Sequence, residues 1–363
     1  GNENSYFNIS GNLEVDSIVN ENRILWYPNK NAFITGRIKI ENPDSVGENS
    51  MASGYESLAK GNYSQAFGFQ SKARGDNSTA LGYQSIAQLD NSFAFGQWAQ
   101  AKAQESYAFG RGAIAEGFRS FAFGSAGVDS AGQTTNVAYA TGDYSFAIGQ
   151  GSVASGFGSY AIGLADTASG PYAFAIGTKS AAKDYFSIAI GNRATSNNHN
   201  AIAIGNYTTS SGYGSLAIGT LANASNGSIA IGSVTASGSI STAIGNGANA
   251  SGYASTAIGY FTTASGQSAT AIGELSEASG QYSTAIGYNT SSEGMSSLAL
   301  GHSTRASELY CTALGVNTIA SGYIATALGE STIASGVASF SAGSSSLAIG
   351  NLSTSIGLCT VAK

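Results

Sequence analysis

The sequence predicts an all-β solenoid, and three observations predict it. A tripeptide Ala-(Ile/Phe/Leu)-Gly returns every 14 residues, ending at Gly68, Gly82, Gly96, Gly110 and Gly124, then from Gly149 to Gly219 and from Gly245 to Gly343. A second glycine falls halfway between most of these, as in Ala154-Ser155-Gly156, Ala168-Ser169-Gly170, Ala264-Ser265-Gly266 and Ala278-Ser279-Gly280. The stretches between glycines are about five residues long and alternate in polarity, which is the length and pattern of a short strand. A 14-residue period is too short for a helix pair and fits two strands and two turns. Each repeat is therefore expected to form one coil that buries its apolar side against its neighbours.

The N-terminal segment, residues 1–49, differs in kind and is expected to be a small β cap. Thirteen of the 36 formally charged Asp, Glu, Lys and Arg residues fall within the first 60 positions, with Pro28 and Pro43 as two of three prolines. Alternation in Ile24-Leu25-Trp26-Tyr27 and in Phe33 to Ile40 argues two strands around an Asn29-Lys30-Asn31 turn. Such a cap covers the bare strand edge at the end of a stack.

Residues 50–343 are expected to be the roll of 14-residue repeats. Gly124 to Gly149 spans 25 residues, so an insertion is placed at about 125–141. Two 13-residue intervals, Gly219 to Gly232 and Gly232 to Gly245, should trim a turn without shifting the core. Residues 344–363 read as half-coils and a strand-like tail, since glycines close to seven apart at Gly343, Gly350 and Gly357.

Within the coil, the residue before the tripeptide glycine runs Phe67, Leu81, Phe95, Phe109 and Phe123, then Ile148 to Ile286, then Leu300, Leu314 and Leu328. That column is read as the core. The residue preceding it is almost always alanine and must face the opposite way. The column Ala147, Ala161, Ala175, Ala189, Ala203, Ala217, Ala257, Ala271 and Ala285 is accordingly expected to be an oligomer seam; the alternative is a tight bend that crowds the outer face. The turn glycines are expected to supply positive φ.

Several function classes are disfavoured. Ala194 to Thr304 contains no lysine or arginine, so nucleic acid is not an expected partner. Cys311 and Cys359 have no metal-ligand or redox spacing and are read as buried thiols, and no cofactor is expected. His199 and His302 are isolated and no catalytic arrangement recurs, so the chain is not read as an enzyme. No apolar run approaches a membrane span, and the start at Gly1 is read as a mature or excised piece.

The strings Tyr282-Ser283-Thr284-Ala285-Ile286-Gly287, Gly214-Ser215-Leu216-Ala217-Ile218-Gly219 and Tyr144-Ser145-Phe146-Ala147-Ile148-Gly149 alternate with Ala-Ser-Gly. This pattern resembles the head repeats of YadA-like trimeric autotransporter adhesins, and it is also similar to repeats in phage and contractile tail fibres. The resemblance implies a left-handed parallel β-roll, a homotrimer, and attachment to host or environmental surfaces. The expected setting is the bacterial outer surface, or a phage or injection-system fibre.

Two sets of residues are candidates for surface binding. Asp129, Gln133, Thr134, Thr135 and Asn136 lie in the insertion, where a loop leaves the scaffold. Tyr213, Tyr253 and Tyr323 follow the turn glycine and offer flat amphipathic area if they point outward; the alternative is that they stack on the next coil. Arg74-Gly75-Asp76 matches an integrin-type tripeptide, at a turn where the fold requires glycine anyway. The expected function is that of an extracellular adhesin head or surface fibre module binding a surface glycan or matrix protein by multivalent contact. The alternative is a structural filament or tail-fibre subunit that assembles end to end by strand addition.

Overall fold

The computed structural model describes residues 6–9, 19–40, 42–126 and 136–363. These fall into two compact units, residues 1–193 and residues 194–363. Both are built of parallel coils.

In the first unit, β1 (Tyr6–Ile9) pairs in parallel with β2 (Val19–Tyr27), which forms an antiparallel hairpin with β3 (Ala32–Ile40). Pro28–Lys30 makes a short 3-10 turn, and Asn31, at a φ of 49°, closes it. Asparagine tolerates this left-handed conformation better than most residues. β3 then pairs in parallel with β4 (Met51–Tyr55), Gly36 opposite Gly54. The hairpin thus supplies the first rung and satisfies the strand edge that a bare first coil would expose.

Most later coils have a longer strand and a two-residue strand, as in Phe174–Thr178 with Ala181–Ala182, or Thr256–Tyr260 with Thr263–Ala264 in the second unit, and in Ile229–Ala236 and Thr242–Ala250 the two are continuous. Within each unit the strands pair in parallel with their equivalents one coil on: Phe174 with Ile188, Thr256 with Thr270, Ala264 with Ala278. The insertion does not break this register, because Ile114 pairs with Tyr139 and Phe121 with Phe146 across it. In the two 13-residue intervals, the register between Ile229–Ala236 and Thr242–Ala250 shifts between Ser233 and Thr235. The trimmed turn leaves Ala230 and Ala236 fully buried, so the core is undisturbed.

The interior is the reverse of the sequence expectation. Ala147, Ala161, Ala175, Ala189, Ala203, Ala217, Ala257, Ala271 and Ala285 are each 0 % exposed within a single chain. They are the core and cannot form a seam with another chain. The aliphatic and aromatic column points outward instead: Phe95 and Phe123 are 51 % and 59 % exposed, and Ile148, Ile258 and Ile272 are half-buried. The reason is volume. Two strands and two turns in 14 residues enclose a space wide enough for Ala, Ser and Thr, with a single Val, Asp or Cys at a few places. The hydrophobic cluster of buried residues from Ala217 to Ala285 accordingly consists of alanines plus Val234. Packing at crystal-like density leaves no place for an isoleucine there.

Serine and threonine complete this interior. Ser64, Ser78, Ser241 and Ser297 donate from Oγ to the carbonyl three residues back, at 2.6, 2.6, 2.7 and 2.7 Å. On the opposite wall, Ser57, Ser180, Ser276 and Ser346 donate to the tripeptide-glycine carbonyl of the next coil at 2.7, 2.8, 2.8 and 2.7 Å. These bonds satisfy buried backbone carbonyls that the ladder leaves over.

The turns also correct an expectation. The Ala-Ser-Gly glycines do not have positive φ; at Gly266 an added Cβ would fall on the Gly280 carbonyl of the next coil, so close approach selects glycine there. Positive φ falls two residues later, at side-chain-bearing residues such as Ser268 (54°), Tyr282 (58°) and Ile324 (58°). Their N–H groups donate to the preceding coil, Tyr282 to the Gln267 carbonyl at 2.8 Å, and this bond holds the left-handed conformation. Cys311 is buried, as expected, whereas Cys359 is exposed. Among the described residues, no helix is long and apolar enough to cross a membrane.

Candidate binding surfaces

Because the coil interior accepts only small groups, every large side chain of the repeats is displayed outside. Alternation along the strands and projection at the turns sort them onto a long-strand face, a short-strand face and two turn edges.

The long-strand face is apolar. In the first unit Phe93, Tyr107, Phe121, Phe146 and Tyr160 stack in sequence at centroid distances of 5.2, 4.5, 4.8 and 4.9 Å, beside the outward Phe95, Phe109 and Phe123. In the second unit the same face carries a Thr column from Thr242 beside an Ile and Leu column from Ile244 to Leu328. Continuous exposed apolar area of this extent marks an interaction surface.

The short-strand face is mixed, with Leu58, Ile86, Ile114 and Ile319 in the same outward position as Lys72, Gln100 and Thr263. Glu116 accepts from Lys102 Nζ and from the Tyr139 hydroxyl, both at 2.6 Å. The lysine bond, then the tyrosine bond, holds the Glu116 carboxyl below the usual carboxylate range, and the bond to Glu116 raises Tyr139. A trimmed turn leaves a shallow depression of about 450 Å³ between Leu221, Val234 and Asn249 in the second unit.

At the turn edge after the Ala-Ser-Gly glycine, Tyr213, Tyr253 and Tyr323 point outward, at 65 %, 53 % and 43 % exposure. The structure does not bring them together. Tyr213 lies against His199 at 5.6 Å and Tyr323 meets Tyr310 edge-on at 6.1 Å, so stacking between coils occupies part of their surface. Asn136 is exposed; Asp129, Gln133, Thr134 and Thr135 lie outside the described residues. Asp76 of the Arg74-Gly75-Asp76 tripeptide accepts the Asn62 amide at 2.7 Å, one rung of an Asx ladder in which Asp90 accepts the Asp76 amide at 2.8 Å. Coil stacking thus accounts for that aspartate.

Sequence reasoning placed Phe118 and Phe157 in positions equivalent to those of Tyr213, Tyr253 and Tyr323 but missed Tyr144, Tyr172 and Phe186, which make a denser aromatic edge in the first unit. Phe118, Tyr144, Phe157, Tyr172 and Phe186 follow one another at 5.5, 5.3, 5.5 and 5.2 Å, with Arg119 over Phe118 at 4.9 Å. Tyr144, Phe157 and Tyr172 join Phe146 and Tyr160 around an open depression of about 480 Å³. The signal was available: both residues after the turn glycine project outward, whereas only the first was considered.

Among the described residues no group of His, Cys, Asp or Glu is arranged to hold a metal ion. The model of the YadA head domain repeat matches residues 45–71, 73–99, 101–126, 138–152, 154–180, 168–194, 185–208, 196–222, 210–234, 236–262, 264–290 and 312–339. Comparison with curated proteins finds no match.

Proposed function

The chain belongs to the YadA head repeat family, and from that premise we propose that it is a non-enzymatic adhesive module, displayed at a bacterial surface as a homotrimer. The observation that carries the reading is the outward apolar face of the long strands. A chain that keeps its alanines inside and its Phe, Ile and Leu column outside has completed its own core and still presents a large surface to cover. Two further copies of the same chain cover it: the outward Ile258 and Ile272 columns meet across the trimer axis, taking the seam role first assigned to alanine. The mixed short-strand face and the aromatic turn edges then remain outside, repeated three times. Weak contacts repeated in this way gain avidity without a deep pocket.

The test is adhesion measured against assembly state. The purified chain, coupled to beads, is expected to adhere to arrays of matrix proteins and glycans. An assembly-defective Ile258→Asp/Ile272→Asp variant at equal chain density should lose at least about tenfold of that adhesion through lost avidity. Equal adhesion by both forms, or long end-to-end fibres without adhesion, would overturn the reading in favour of another role.

A further inference from the structure

We propose that the short-strand face at the start of the first unit is a docking groove for a linear anionic polysaccharide. The proposal rests on the adhesive reading above and names the chemistry of its ligand. Lys39, Ser45, Glu56, Leu58, Gln70, Lys72 and Arg74 line a groove of about 300 Å³. Lys60 stands beside it: Ala59 pairs with Ala73, so Lys60 and Arg74 occupy the same place in successive coils, about 4.8 Å apart along the stack.

The lining carries net positive charge, because Lys39, Lys72 and Arg74 stand against one carboxylate, Glu56. Glu56 accepts from Gln70 Nε2 at 3.0 Å and lies 4.0 Å from Arg37. Asp76 and Asp90 lie at the turn that follows Arg74 and its equivalent one coil on, each accepting a backbone amide in the Asx ladder. Among the described residues, Lys60, Lys72 and Arg74 make no ion pair. The cationic run ends where Lys102 is neutralised by Glu116 at 2.6 Å.

The adjacent turn edge decides the class of polyanion. Tyr55, Phe69 and Tyr83 stack face to face at 4.7 Å, with planes within 8° and 5° of parallel. Their ring faces are occupied by one another, which removes the platforms on which nucleic-acid bases would stack. What remains is a row of point cations and one guanidinium fork, suited to sulfate and carboxylate groups carried at intervals on a sugar chain.

The experiment uses the full chain and heparin as the probe, with affinity measured against ionic strength and sedimentation run on the same samples. Wild type is expected to bind with affinity falling steeply as salt rises. Lys60→Gln/Lys72→Gln/Arg74→Gln should lose at least about tenfold with an unchanged circular dichroism spectrum, whereas Lys179→Gln/Lys183→Gln should not. Wild-type affinity in the triple variant overturns the proposal, as does an oligonucleotide of matched charge that competes as well as heparin. A trimer that fails to bind heparin removes only this groove; a monomer that binds it removes only the assembly reading.

Discussion

At the scale of the residue, the molecule turns on which side chains the coil can hold. Sequence alternation separated the alanine and isoleucine columns correctly, but hydrophobicity alone assigned the larger residue to the core. The missing information was the width of the coil interior, which alternation does not contain. Asp166 tests that interior directly. It stands on the wall otherwise formed by Ser, Thr, Ala or Val, is fully buried, and accepts the Ser180 amide at 2.7 Å. Burial raises its pKa above the ordinary 3.8, outweighing the hydrogen bonds that lower it. The folded state therefore favours the protonated form. Its contribution to stability is fully present below the ordinary aspartate range and is lost as pH rises through the raised value. Asp166→Ser is expected to stabilise the chain at neutral pH and to flatten this part of the dependence, read by denaturant melts across pH; a less stable variant at pH 7 would contradict the assignment. Ile324 offers a second test, since a β-branched residue at a φ of 58° is strained. Equivalent turns carry Asn77, Asn91 and Asn200. Ile324→Asn should gain about 1 kcal/mol in the same assay.

At the scale of the element, the coil was legible and its turns were only half so. Period, strand pairs, the hairpin and the tolerance of 13-residue intervals could be read from glycine spacing and alternation. The turn mechanism could not, because one glycine column answers to contact with the next coil rather than to its own dihedral angles. The tripeptide column answers to both. Gly273 has a φ of +120°, and a Cβ there would fall on the carbonyl oxygen of Gly287. Gly273→Ala is expected to cost more than about 2 kcal/mol, because neither conformation nor contact can relax without opening the stack. A thermal melt of the variant that overlays wild type would show that coils separate more readily than this account allows.

At the scale of the whole molecule, each unit completes a small-residue core and exports its bulk to the surface. The candidate sites were hardest to read here. For Tyr213, Tyr253 and Tyr323 the sequence left outward display and stacking both open; the structure shows all three exposed, with Tyr213 and Tyr323 also against a neighbouring coil, and the coil numbering spreads them apart. The groove of Lys60, Lys72 and Arg74 is invisible until the short strands are put in register, which sets cations of successive coils side by side. The apolar long-strand face was legible as a column and misread in direction. Once reversed, it is the face that the proposed trimer would cover. Sedimentation velocity on wild type and on Ile258→Asp/Ile272→Asp, with circular dichroism as the check on folding, tests that reversal most directly. The account predicts a trimer for wild type and a folded monomer for the variant, since the substituted residues face outward. A wild-type monomer, or a variant that unfolds as a buried-core substitution would, contradicts it.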